Sequence, residues 1–195
     1  DVAENINNSR GLTDIVAALD DLERDLPECR SVQLVLSWFG TDLRCGACEI
    51  RPGVEVRDKQ TRPQAWSVAG ESRASAHLVS QDAAGRPVYG GTPDDASVIA
   101  AIAELKARGY AVSVYPFILM DMPGYPWRGR ISGPDGSPDA ADDVAAFFGT
   151  AAAEDYAVSG DAVAYAGPGE WRFRRFILHC AALAKAAGGV DGFLI

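Results

Sequence analysis

The chain has no long apolar run. Its longest, Ala111 to Met120, is about half of the ~18 residues a membrane span needs, and it carries Ser113, Tyr115 and Pro116, so no transmembrane segment is expected. The opening residues Asp1-Val2-Ala3-Glu4-Asn5 contain no basic region, and no secretory signal is expected. Cations are in short supply: 18 Lys and Arg stand against 27 Asp and Glu, a net charge of −9. Tight binding to nucleic acid needs clustered Lys and Arg, so none is expected of this domain. Cysteine and histidine are also few. Cys45-Gly46-Ala47-Cys48 is the one paired spacing, and Cys29, Cys180, His77 and His179 supply no second pair, which argues against a four-ligand zinc site. No G-x-G-x-x-G, P-loop, G-x-S-x-G or H-E-x-x-H motif occurs, and no metal or other cofactor is expected.

What is present describes a globular chain with a real core: of 195 residues, 48% are apolar, 9% aromatic and 23% charged. Leu12, Ile15, Val16, Leu19 and Leu22 recur at helical spacing, predicting an amphipathic helix over 12–26 that Pro27 stops. The β-rich run Val32–Phe39 follows and ends at Gly40. A second copy begins with Thr92 as N-cap and Pro93 at the first helical position. Val98, Ile99, Ile102 and Leu105 form its buried stripe, and Gly109 sits at the C-terminal cap. The near-continuous apolar run 111–120 then reads as a strand covered on both faces in a parallel sheet. Pro116 cannot donate to a ladder, which predicts weaker pairing toward the end of that strand. A third copy places Phe176, Ile177, Cys180, Leu183 and Ala187 on a helix ended by Gly188-Gly189, with Val190–Ile195 as its strand. Helix-then-strand repeats of this kind define an α/β fold.

Two stretches interrupt the repeats. Residues 40–91 are rich in Gly and Pro, with a short strand expected at 76–80, and residues 121–140 are rich in Gly, Pro and Asp. A short helix is expected around 144–148, followed by an Ala/Gly-rich stretch to Gly169. Both excursions leave the C-terminal end of a strand, the edge where α/β folds place ligands, and loops this long are uncommon unless functional.

Asp42 and Asp121 lie just past the two strands and are the candidate catalytic carboxylates; the competing reading has them ordering turns through backbone hydrogen bonds. Trp38, Trp66, Trp127, Tyr89 and Tyr125 lie in or beside the long loops and could stack on sugar rings, and Arg128 and Arg130 could hold a carboxylate or phosphate. Anchoring of the loops by the same side chains competes with this, and for Trp38 core packing is the stronger reading. His77 and His179 show no partner in the sequence and read as structural. Cys45 and Cys48 read as a local staple, as a disulfide or reduced, rather than as a redox centre.

Several segments together resemble the glycoside-hydrolase TIM-barrel-like domain of the large tail-tip proteins of gene transfer agents and related siphophages. They are residues 37–48 (Ser-Trp-Phe-Gly-Thr-Asp-Leu-Arg-Cys-Gly-Ala-Cys), 50–55, 62–70, 87–93, 115–121 (Tyr-Pro-Phe-Ile-Leu-Met-Asp) and 125–131 (Tyr-Pro-Trp-Arg-Gly-Arg-Ile). The resemblance implies a (β/α)8 TIM-barrel-like domain in the baseplate hub of a virus-like particle, assembled in the bacterial cytoplasm and released. It implies other tail and baseplate proteins and further copies of the chain as partners, and cell-envelope glycan, peptidoglycan included, as the target during DNA delivery. The family carries a longer insertion near Gly124, and runs on past Ile195 into a Gly-Ser-Glu-Leu segment whose Glu is the expected acid/base. A (β/α)8 barrel takes ~250 residues, so residues 1–195 are expected to hold roughly the first half of one such domain within a larger protein. Two readings compete with glycan cleavage: a non-catalytic structural or glycan-binding barrel in the same particle, and a soluble enzyme using the Cys45–Cys48 loop.

Overall fold

A computed structural model describes residues 5–61, 64–122, 130–134 and 136–195. In chain order the elements are α1 (Asp14–Asp25), β1 (Ser31–Gly40), β2 (Ile50–Arg51), β3 (Gly53–Val54), β4 (Ser67–Val68), β5 (Glu71–Ser72), β6 (His77–Leu78), α2 (Asp95–Ala107), β7 (Ala111–Met120), α3 (Ala140–Phe148), β8 (Tyr156–Ser159), β9 (Ala162–Tyr165), α4 (Phe173–Ala186) and β10 (Gly192–Phe193). The main sheet has the order β10-β7-β1-β2. β1, β7 and β10 are parallel, and β2 adds an antiparallel pair only at Phe39 and Gly40. The mixed α/β class with parallel strands agrees with the sequence; among the described residues the sheet is open and no barrel closes.

β1 and β7 pair without a break from Ser31↔Ala111 to Gly40↔Met120, so Pro116 does not weaken the ladder as expected. The reason lies in the alternation of a strand's peptide groups. Val112 and Val114 direct theirs toward β10: the Asp191 and Leu194 amides donate to Val112 O and Val114 O, at 2.8 and 3.0 Å. Pro116, two residues further on, has its missing N–H on that same side, away from β1.

Even-numbered strand residues face the helices. Leu36, Trp38, Val112 and Val114 form one core with Val98, Ile102 and Leu105 of α2 and with Phe176, Cys180 and Leu183 of α4. The odd face is apolar too, yet among the described residues it stays partly open. Val35 is 51% exposed and Phe117 37%, with the Tyr115 and Phe117 rings in edge contact at 5.5 Å. Among the described residues, the 40–91 excursion covers this face toward the strand ends. There Phe39 is fully buried, and a Cβ on Gly53 would stand 2.5 Å from its ring, so only glycine lets β3 pass so close.

Several boundaries differ from expectation. Thr92 does not cap α2; Asp94 does, its carboxylate accepting the Ser97 N–H at 3.0 Å. Thr92 is buried instead, donating its hydroxyl to Ser37 O (2.8 Å) while accepting the Gly53 N–H (3.0 Å), and so ties the excursion to the outer edge of β1. Gly109 follows α2 with φ +85°, as its place beyond the cap requires. The 40–91 stretch is not irregular but holds five short strands, and the Ala/Gly-rich stretch contains the β8–β9 hairpin, which patterning missed. The last strand is shorter than 190–195, because β10 pairs with β7 only at Gly192 and Phe193.

Candidate functional site

Asp121 leaves the C-terminal end of β7, and its amide still donates to Gly40 O at 3.0 Å, so the ladder itself fixes its position. Its side chain is 1% exposed and meets His77 Nε2 at 2.6 Å, the imidazole being 22% exposed. The Ser80 amide donates to both carboxylate oxygens, at 3.2 and 3.0 Å. Burial raises the Asp121 pKa; the hydrogen bonds from His77 and Ser80 outweigh it, and the carboxyl ends below its ordinary value. β6 carries His77 and the turn after it carries Ser80, so the first excursion is fastened to the end of β7 through one carboxylate. Phe39 packs against both His77 (6.0 Å) and Tyr89 (5.4 Å). Tyr89 donates its hydroxyl to Met120 O at 2.7 Å, and burial together with the Asp121 charge pushes its phenol up to about 12.

Asp42, past the end of β1, is engaged differently. Arg44 grips it with Nε at 3.0 Å, Nη2 at 2.6 Å and its own amide at 2.8 Å. These bonds hold the Asp42 carboxyl down at about 2. The loop continues into the Cys45–Cys48 turn, where both cysteines are buried free thiols. No helix starts there, burial pushes the Cys48 thiol up, and Arg172 Nη1 donates to Gly46 O and Cys48 O at 3.2 and 2.7 Å. A reactive thiol needs the opposite shift. The second excursion returns to this turn: Ser132 donates to Leu43 O (2.8 Å) and accepts from the Cys45 amide (2.9 Å).

The remaining sequence candidates separate. Trp38, for which core packing is the stronger reading, is 1% exposed and packs on Trp171, Phe176 and His179, with ring centroids 5.7, 5.2 and 5.5 Å away. Its even position in β1 turns it into the helix-covered core. Arg130 is exposed at the second excursion. Trp66 is 5% exposed and donates its indole N–H to Thr92 O at 2.8 Å, and Tyr125, Trp127 and Arg128 lie outside the described residues. Asp42 and Asp121 each have their own internal partner. His77 was the residue missed: 44 positions separate it from Asp121, and no local pattern links them. His179 is structural as read, though it has a partner, Asp95 Oδ1 at 2.8 Å, through which α4 grips the first turn of α2. Among the described residues no group of three or more His, Cys, Asp or Glu is placed to hold a metal, and no helix is long and apolar enough to cross a membrane.

A carboxylate that is buried, charged and bound to a partly exposed imidazole can orient that imidazole. A glycosidase acid is held protonated by a raised pKa, whereas both strand-end carboxyls here are shifted down.

Residues 171–195 match the family model described as GTA TIM-barrel-like domain. The matched segment runs from Trp171 through α4 and β10, a helix and a parallel strand of the main sheet, and it supports a TIM-barrel-like domain of the gene-transfer-agent type. No curated protein matches the chain.

Proposed function

We propose that the chain serves in the tail tip, or baseplate hub, of a gene transfer agent or related phage-like particle, and that it engages envelope glycan without cleaving it through Asp42 or Asp121. The match over residues 171–195 supports the particle assignment. Helices on one face of a parallel sheet, with an apolar second face, support a barrel wall. The observation that carries the non-hydrolytic reading is the engagement of both strand-end carboxylates: Asp121 by His77 and Ser80, Asp42 by Arg44. Hydrolysis with retention or inversion requires two carboxyl groups facing one glycosidic bond, one of them protonated. Here each carboxylate instead holds a loop in place above the strand ends, where long loops form a ligand-facing surface. Other tail and baseplate proteins and copies of the chain itself are the partners this role requires.

The test uses purified sacculi. The 195-residue chain is expected to co-sediment with them, to release no reducing ends, and to keep its co-sedimentation when Asp42 is changed to Asn. Release of reducing ends that Asp121→Asn abolishes would return the carboxylate to a catalytic role and overturn the reading.

A further inference from the structure

Both histidines of the chain face an aspartate through Nε2: His77 meets Asp121 at 2.6 Å, and His179 meets Asp95 at 2.8 Å. The two pairs differ in what lies on the other side of the ring. His179 is 1% exposed and its Nδ1 is buried without a partner, so nothing outside the fold reaches it. His77 is 22% exposed; its Nδ1 also has no partner among the described residues, but it is not buried. The open pair is the one at the C-terminal ends of β1 and β7, the edge at which α/β folds take ligands.

Asp121 decides where the protons of His77 sit. Its carboxyl is held below the ordinary value and already accepts the Ser80 N–H, so near neutral pH it only accepts, and the shared proton belongs to His77 Nε2. A neutral imidazole protonated on Nε2 carries a bare lone pair on Nδ1. The direction of that lone pair is fixed. Turning the ring would break the bond to a sealed carboxylate, the fully buried Phe39 packs on the ring at 6.0 Å, and β3 holds the backbone with Gly53 opposite His77. The same Phe39 ring carries Tyr89 at 5.4 Å. The Tyr89 hydroxyl is committed to Met120 O at 2.7 Å, which fixes a half-buried ring with part of its surface open. An acceptor of set direction and a partly open aromatic ring therefore stand against one buried phenylalanine. The Asp121 charge behind the imidazole disfavours an anion at Nδ1 and favours a donor. A sugar offers both complements, hydroxyl donors at its rim and apolar C–H surface on its face.

We propose that His77 Nδ1 is the hydrogen-bond acceptor for a hydroxyl of a neutral saccharide ring, with Tyr89 against the ring's C–H face and Asp121 as the positioning residue behind His77. The acceptor assignment rests on the geometry; the saccharide assignment rests on the envelope-glycan reading above.

The experiment is a long-range ¹H–¹⁵N spectrum of the imidazoles in the 195-residue chain at about pH 8, above the ordinary histidine value. It is recorded without ligand and then during titration with tri-N-acetylchitotriose, with sorbitol as a hydroxyl-bearing control that has no ring. Without ligand, His77 should be neutral with its proton on Nε2; a proton on Nδ1, as the other tautomer or as imidazolium, would overturn the acceptor. The trisaccharide should move His77 Nδ1 and the amides of 77–80 and 89. A trisaccharide that does not bind, or binds without moving Nδ1, would overturn the proposal with no variant needed. Sorbitol moving Nδ1 as strongly would overturn the saccharide assignment alone. His77→Gln keeps an N–H donor at the place of Nε2 and removes the acceptor, so the thermal midpoint should hold while trisaccharide binding weakens about two- to tenfold, the worth of one neutral hydrogen bond. Unchanged affinity in that variant would remove His77 from the site. Wild-type co-sedimentation with sacculi beside an unresponsive Nδ1 would sink this acceptor and leave the function above standing; a responsive Nδ1 without co-sedimentation would do the reverse.

Discussion

Asp121 and Asp42 are the same residue type at equivalent places, each just past the end of a parallel strand, and their surroundings assign them different work. Asp42 is a solvent-facing partner for Arg44, and water and salt screen that pair. Asp121 is sealed and donated to from two directions, so its charge is part of the fold. Burial pushes its carboxyl up and the His77 and Ser80 bonds bring it below its ordinary value, so the folded chain binds this proton less readily than the unfolded chain does. By linkage, the stability this contributes is fully present above the unfolded pKa of about 3.9 and is lost as pH falls through the lower folded value. Asp121→Asn should therefore cost about 1.5–3 kcal/mol near neutral pH, the range for hydrogen bonds to a charged group. It should also flatten the dependence of stability on pH below about 4. Urea unfolding at a series of pH values measures both, and an unchanged acid limb would show that the carboxylate does not carry this charge into the folded state.

At the scale of elements, several contacts fasten the long excursion, and Thr92 is among the most economical of them. One buried hydroxyl satisfies a carbonyl on the outer edge of β1 and an amide of β3 at once. Thr92→Val keeps the shape and removes both bonds, leaving the Gly53 N–H buried without an acceptor; a loss of about 1–3 kcal/mol is expected. Thr92→Ser keeps the hydroxyl and should lose less, and denaturant melts of the two variants side by side decide the point. The sequence reading placed Thr92 at the helix cap because Thr-Pro-Asp-Asp fits a helix start, and the same four residues fit equally well with Asp94 as cap. β7 was legible to the residue, since its apolar run is bounded by Gly109 on one side and Asp121 on the other. The β8–β9 hairpin was not, because its alanines dilute the alternation of Tyr156, Val158, Val163 and Tyr165, although Ser159-Gly160-Asp161 carried a turn signal with Gly160 at φ +59°. The Asp121–His77 pair had no signal to find: it is made by a β6 strand of two residues whose place depends on β3, Phe39 and the whole path of the excursion.

For the whole molecule the uneven charge decides what can approach. The body is acidic, with 18 Lys and Arg against 27 Asp and Glu, a net −9. A DNA duplex carries charge of the same sign, one per roughly 1.7 Å along its axis. Duplex affinity requires several phosphates neutralised together over a continuous basic face, and the charge balance works against one here. A gel-shift titration at physiological salt should therefore show no retarded duplex at about micromolar chain, in the range where nonspecific DNA-binding proteins already respond. A retarded band that weakens steeply with salt would mean that Lys and Arg from separate segments act together as one basic face, and that charge on this chain is organised for a polymer in spite of its net sign.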